Sequence, residues 1–193
     1  AYHRSKANRR LVEAVQDLPG VTFHDLYEEY ADFNIDVARE QELLLAHDVI
    51  LFQHPFYWYS APALLKEWQD LVLEYGFAYG VGGDRLHGKL LLSAITTGAG
   101  QQAYSREGSN YFSIHELLAP VHQVARFCGM RWVPPFVVCG TLQESDAFFL
   151  DAAKGYRAAL EGLRDGTLET DHLPPEALLN DALSRAKVGH DAR

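Results

Sequence analysis

The chain has 193 residues, 48% of them hydrophobic and 22% charged, which suits one soluble domain with a sizeable core. Lys plus Arg number 17 against 26 Asp plus Glu, a net charge of −9 that argues against nucleic acid or anionic lipid as a partner, because both demand a cationic face. The strongly apolar runs, such as 49–52 and 90–92, fall far short of the about 20 residues a membrane helix needs, so no direct membrane insertion is expected.

In chain order, residues 5–17 read as an amphipathic helix with Ser5 as its cap and Leu11, Val12 and Val15 as its apolar stripe. Pro19 and Gly20 break it, and the alternation over 21–26 predicts a strand. Residues 27–34, aromatic and acidic, suit a loop. A helix follows over 37–46 with Leu43, Leu44 and Leu45 inward. Residues 48–53 (DVILFQ) form a short apolar run, expected as a strand buried on both faces of a parallel sheet. Helical period resumes over 61–75 through Leu64, Leu65, Trp68, Leu71 and Val72. A second buried strand is expected over 89–96, a helix over 115–127, and a strand over 132–138 that Pro134 and Pro135 push to an edge or a bulge. A helix over 148–165 closes the domain. Buried strands alternating with helices give an α/β doubly wound sheet spanning 1–165. Residues 166–193 form a tail: a linker over 166–175, then weak helical character over 175–187, as a docking arm or a poorly ordered end.

The first ten residues carry no signal-peptide pattern. Cys128 and Cys139 make neither a disulfide framework nor a metal-ligand spacing, and read as buried thiols of a cytoplasmic protein. The lone Met is Met130, and Ala1 opens a stretch that already looks like a helix start, so further residues, a first strand among them, are expected upstream.

Ligands of open α/β sheets bind where strand ends meet loops and helix N-termini. After strand 48–53 come Pro55, Phe56, Tyr57, Trp58 and Tyr59. Four consecutive aromatics cannot all face a core, so they serve a subunit interface, an aromatic corner, or a platform for a planar ring. After strand 89–96 come Thr96, Thr97, Gly98, Ala99 and Gly100, small residues whose amides can hold negative charge, a weak signal alone. The helix start at Ser5, Ala7 and Asn8, with Arg4, Lys6, Arg9 and Arg10 around it, is either a capped, solvated helix or a phosphate site. His54 reads as a backbone-bonded histidine. His87, His115 and His122 show no metal spacing, and no metal is assigned. Asp32 and Asp36 read as structural or as part of a dimer contact, with a catalytic carboxylate pair left open.

Three stretches together, Ser5-x-Ala7-Asn8, the run from Gln53 to Lys66, and Ile95-Thr96-Thr97-Gly98, carry a resemblance. Asp32 to Asp36, Gly76 to Gly80, Leu86 to Lys89, Phe127-Cys128-Gly129 and Pro134-Pro135-Phe136 extend it over residues 2 to about 165. The chain resembles the flavodoxin-like NAD(P)H:quinone oxidoreductases, and most of all the cytoplasmic ancillary oxidoreductases of glutathione-gated potassium-efflux antiporters. The resemblance implies noncovalent FMN, with FAD as the other option, and hydride moving from NAD(P)H through the flavin to a quinone in ping-pong alternation. It implies a homodimer, and attachment at the inner membrane only through a partner. It assigns Ser5, Ala7 and Asn8 to the flavin phosphate and Pro55, Phe56, Tyr57, Trp58 and Tyr59 to the ring and ribityl chain. Thr96, Thr97, Gly98 and Ala99 fall to the ring's polar edge and Tyr104 to its pyrimidine end. Tyr79, from the partner subunit, and Trp58 face the substrate.

Three departures stand out. The family opens with a strand ending in a His-Pro loop that this sequence does not contain. Asn110 stands where mammalian-type quinone reductases carry a histidine, and Ala99 stands where glycine is usual. Tyr104 is the expected polarising residue, with water in place of histidine as proton source beside Asn110. Two other readings compete: a regulatory subunit of a potassium-efflux antiporter with secondary redox activity, and a one-electron carrier.

Overall fold

The computed structural model describes residues 5–142, 144–170, 172–174 and 176–183. Helix α1 (Lys6–Val15) starts where expected, its cap Ser5 accepting the amide of Asn8 at 3.2 Å. Residues 21–25 take no regular structure, and Leu26 opens a one-turn helix, α2 (Leu26–Glu29), so the predicted strand over 21–26 does not form. The alternation is present, but a strand exists only by pairing, and no described strand runs beside this segment. Helix α3 (Val37–Ala46) buries Leu44 alone of its three leucines. Leu45 is exposed, because successive helical residues diverge by about 100° and cannot share a face.

Strand β1 (Val49–Pro55) is followed by helix α4 (Ala63–Val72) and strand β2 (Leu90–Thr96). In α4 Leu64, Leu65, Trp68 and Val72 face the core, and Leu71 is turned outward. The single helix expected over 115–127 is two, α5 (Ile114–Leu117) and α6 (Ala119–Phe127). Pro120 sits in the first turn of α6, the helical position that tolerates a missing N–H. The last strand is split by Pro134 and Pro135 into β3 (Arg131–Trp132) and β4 (Phe136–Val138), and helix α7 (Asp146–Arg164) closes the order.

All pairings are parallel. β2 is central, with β1 in register from Val49↔Leu90 to Pro55↔Thr96 on one side and β3 and β4 in succession on the other. Alternate residues of β1 and β2 point to opposite faces, which builds two cores. On one face Phe52 and Leu91 pack with α3, α4 and α6. On the other Leu92 and Ala94 pack with α1, α7 and the tail.

The tail returns to the sheet. Residues 179–183 form a helical turn, Leu179 is fully buried, and its amide donates to the carbonyl of Pro135 at 2.9 Å. Asn180 accepts the amide of Val137 at 2.9 Å and donates to its carbonyl at 3.0 Å, so one side chain occupies the outer edge of β4 as a neighbouring strand would. The expected helix over 175–187 extends beyond the described residues. Among those described, no helix is long and apolar enough to cross a membrane.

Candidate functional site

The carboxyl ends of β1 and β2 meet the start of α1, and Asn8 ties them together. It is 1% exposed, and its Nδ2 donates to Thr96 Oγ1 at 2.8 Å and to Ser5 Oγ at 3.2 Å. Gln53 Nε2 reaches the Asn8 backbone carbonyl at 3.2 Å and its Oδ1 at 3.3 Å, and Tyr156 on α7 donates to Gln53 Oε1 at 2.9 Å. The side chain of Asn8 is therefore engaged within the fold, and the Ala7 methyl points to the core. What α1 presents outward is its first turn: the amides of Lys6 and Ala7 have no acceptor among the described residues, as the start of a helix dictates. Arg9 and Arg10 both lie against Glu13, so of the four basic residues around this turn Lys6 is the described one without an ion pair. Arg4 lies outside the described residues.

Gln53 and Tyr156 were missed in the sequence reading. The signal for Gln53 was there, an amide at the end of an otherwise apolar strand. Tyr156 carried none, because only the packing of α7 against α1 and the sheet brings it near.

The aromatic run divides its labour. Phe56 donates its amide to the Thr96 carbonyl at 2.9 Å and packs inward, its ring 6.5 Å from that of Tyr104. Tyr57 to Ser60 form a tight antiparallel bridge, with the Ser60 amide on the Tyr57 carbonyl at 2.9 Å. Trp58 and Tyr59 at its tip have φ of 49° and 63°, the left-handed pair of a type I′ turn and a strained conformation for side-chain-bearing residues. The strain holds Trp58 outward, 93% exposed, flanked by exposed Tyr57 and Tyr59.

The loop after β2 is clamped from one side. The Thr97 amide donates to Val138, the Gly140 amide to the Ala99 carbonyl at 2.9 Å, and Thr97 Oγ1 to the same carbonyl at 2.8 Å. The amides of Gly98, Ala99 and Gly100 have no acceptor among the described residues, so the loop presents donors next to the aromatic turn. A Cβ at Gly98 would come within 3.0 Å of Leu142, whereas the space around Gly100 is open.

Tyr104 follows a short 3₁₀ turn (Gln101–Ala103). Burial pushes its hydroxyl above the ordinary value, with Thr97 acting the other way, so at neutral pH it carries its proton. Asn110 donates its amide to Ala103 and accepts the Tyr59 hydroxyl at 3.2 Å, joining the aromatic turn to the loop after β2. Tyr79 stands apart. Its ring contacts are Tyr75 at 5.9 Å and Phe127 at 5.0 Å, at the far end of α4 and α6.

Asp32 accepts the Asn34 amide and Asp36 caps α3 by accepting the Arg39 amide, both at 3.1 Å. His54 holds the Pro55 carbonyl through Nδ1 at 3.0 Å, and burial lowers its pKa, so it is neutral. His122 stacks on Trp132, and no cluster of three metal-ligating side chains occurs among the described residues.

A flavodoxin-like fold model matches residues 2–160. The chain is 52% identical over 134 residues to the glutathione-regulated potassium-efflux system ancillary protein KefG of Pectobacterium carotovorum, a match covering 69% of this chain and 73% of the relative. Among solved structures, general stress protein 14 of Treponema denticola in complex with FMN aligns at 34% identity and TM-score 0.79, over 84% of this chain and 93% of that one. A protein described as an NADPH-quinone reductase from P. pentosaceus aligns at 32% identity and TM-score 0.74, over 80% and 89%.

Proposed function

The chain belongs to the flavodoxin-like family, and from that premise we propose that it is an FMN-dependent NAD(P)H dehydrogenase acting on quinones. The observation that carries this reading is the convergence of three unlike surfaces at the ends of β1 and β2. These are amides at the start of α1 that have no acceptor among the described residues, an apolar aromatic turn, and a small-residue loop with three more such amides. FMN has an anionic end, a flat apolar ring and a polar ring edge, so each surface has a counterpart in one molecule. The relative from T. denticola is described in complex with FMN, which favours FMN over FAD.

Bound flavin supplies hydride acceptance from the nicotinamide and its delivery to the quinone, with one proton taken up from solvent as the hydroquinone forms. The chain's own work is positional and electrostatic. Lys6 and Ala7 offer amides to a phosphate, Ser5 orders them, and Asn8 locks that turn onto Thr96. Pro55 and Phe56 form the floor of a ring site, and Tyr57, Trp58 and Tyr59 cover it and exclude water. Thr96, Thr97, Gly98 and Ala99 fix the polar edge with donors aimed where negative charge develops. Tyr104 keeps its proton and can donate to a carbonyl, while the Asn110 carboxamide holds Tyr59 and leaves proton delivery to water. Tyr79, remote from this group within one chain, serves the site of a second copy in a homodimer.

The 52% identity to a protein named as an ancillary component of a potassium-efflux system favours a second reading, in which the same fold regulates an antiporter and redox turnover is secondary. A visible spectrum of the purified protein with FMN, followed through anaerobic NADPH and then a benzoquinone, separates the two. Bleaching by NADPH and recovery with quinone is the expected result. Flavin that binds and is bleached by neither NADPH nor NADH moves the assignment to the regulatory reading, and failure to bind flavin overturns the dehydrogenase reading.

A further inference from the structure

Residues 104–113, between the 3₁₀ turn and α5, fold back on themselves. The Asn110 amide reaches the Ala103 carbonyl at 2.9 Å, and a Cβ at Gly108 would lie 2.4 Å from the carbonyl oxygens of Gln102 and Ala103. The Phe112 amide donates to the Asn110 carbonyl at 2.7 Å and closes a tight turn on Tyr111, whose φ of 63° belongs to the rare, strained form of that turn. The turn displays two rings. Tyr111 is 57% exposed and Phe112 44%, and they meet edge to face at 5.2 Å.

Arg106 holds both rings. Its guanidinium carbon stands 5.0 Å from the centre of the Tyr111 ring and 5.2 Å from that of Phe112. Its Nη2 donates to Glu116 Oε1, and Glu116 Oε2 accepts the Ser113 amide at 2.8 Å, the contact that chiefly holds this carboxyl below the ordinary carboxylate range. The other N–H groups of Arg106 have no acceptor among the described residues. Ser113 and Glu116 form the capping box of α5 without help from Arg106 or the rings. The result is a corner that sets two ring faces beside a cationic donor and an anionic acceptor, both open to solvent. It borders the ring site, because Asn110 accepts the Tyr59 hydroxyl at 3.2 Å and Phe112 follows within about 7 Å of chain.

Resting on the dehydrogenase reading, we propose that this corner seats the adenine of the nicotinamide dinucleotide while its nicotinamide lies at the flavin site beside Trp58. Adenine has flat faces that stack on an aromatic ring and, along one edge, an amine donor next to a ring-nitrogen acceptor. Glu116 accepts from the amine, and an Arg106 N–H not used on Glu116 donates to the ring nitrogen. That edge selects the occupant. The hydrocarbon tail of a quinone has no use for the ion pair. A second copy laying an apolar face here would strip the pair of water at a cost its attraction does not repay. Guanine would set a carbonyl where the amine belongs, against the Glu116 carboxylate.

The test separates the adenosine half from the hydride. Saturation transfer from the FMN-loaded protein to the adenine protons of ADP-ribose is expected in wild type and lost in the double variant Tyr111→Gly, Phe112→Ala, where glycine is at ease at a φ of 63°. ADP-ribose that receives no transfer, or receives it equally from the variant, overturns the proposal whatever the protein does with a reduced nicotinamide. In turnover the variant should raise KM for NADH at least tenfold, with kcat unchanged and both constants unchanged for reduced nicotinamide mononucleotide, which lacks the adenosine. Equal losses with the two donors would put the rings at the flavin site and overturn the adenine seat. Deamino-NADH, with a carbonyl in place of the amine, should show a raised KM in wild type, and a KM equal to that of NADH overturns the role of Glu116. Failure to oxidise either donor sinks the dehydrogenase reading alone, since transfer to ADP-ribose does not depend on it.

Discussion

Asn8 uses both amide protons and its carbonyl inside the protein, which makes it a fastener for the first turn of α1 more than a ligand in its own right. Asn8→Ala strands Thr96 Oγ1 in a buried place and leaves Gln53 Nε2 only the backbone carbonyl of residue 8, and the expected loss is about 2 kcal/mol in urea denaturation. Asn8→Asp behaves differently. The hydroxyls of Ser5 and Thr96 can turn to donate, so stability should fall by less than about 1 kcal/mol, while a carboxylate beside the anion site should weaken FMN at least tenfold in a fluorescence titration. Equal FMN affinity in Asn8→Asp and wild type would remove the start of α1 from the phosphate site. Glu40 is the other residue whose surroundings decide its behaviour. Burial opposes its charge, but His24 at 2.8 Å, the Tyr30 hydroxyl at 2.6 Å and Trp68 Nε1 at 2.7 Å outweigh burial and hold it below the ordinary value of 4.5. The same contact pushes Tyr30, already raised by burial, up to about 12. A carboxyl depressed in the folded state stabilises it fully above the unfolded value, and that contribution disappears as pH falls through the folded one. Glu40→Gln should therefore cost about 3 kcal/mol at pH 7, with the gap to wild type shrinking below pH 4.5. A gap of the same size at pH 3 and pH 7 would show that the cluster acts through shape and not charge.

At the scale of elements, the turn from Tyr57 to Ser60 stores strain where a ring must be displayed. Two successive left-handed residues cost about 1–3 kcal/mol each, and an Asn-Gly pair is the relaxed solution for such a turn. Replacing Trp58 and Tyr59 by Asn and Gly should raise the melting temperature while lowering quinone turnover at least tenfold. A variant that gains stability and keeps full turnover would show the aromatic tip to be idle. The sequence already located this turn, because four aromatics in a row have no common core to face. It also located β2 and α4, whose burial follows their periodicity. It failed where one element's state depends on another. Residues 21–25 alternate like a strand yet have no strand to pair with among the described residues, and the helix expected over 115–127 divides at Leu118, just ahead of Pro120 in the first turn of α6. The tail was undecidable from its own residues, since what orders it is the edge of β4.

For the whole molecule, the site residues group unevenly. Ser5, Asn8, Thr96, Thr97, Phe56, Tyr104 and Asn110 meet through local contacts at the strand ends, which is why motif reading could find them. Tyr79 does not join them. It sits in a cluster with Tyr75, 64% exposed, and Phe127, 62% exposed, and Val81 nearby in sequence is more exposed still. A monomer has little reason to leave such aromatic surface in water, whereas a second copy would bury it and bring Tyr79 to a neighbouring site. Phe127→Glu places a charge in that surface without touching the strand ends. The expected outcome is a monomer by analytical ultracentrifugation that binds FMN as wild type does and has lost at least tenfold in kcat/KM for quinone. Tyr79→Ala should lose the same catalytic factor and remain a dimer. If Phe127→Glu is monomeric and fully active, each chain holds a complete site and Tyr79 has no part in catalysis. If it remains dimeric, the subunit contact lies elsewhere and the aromatic cluster serves another partner.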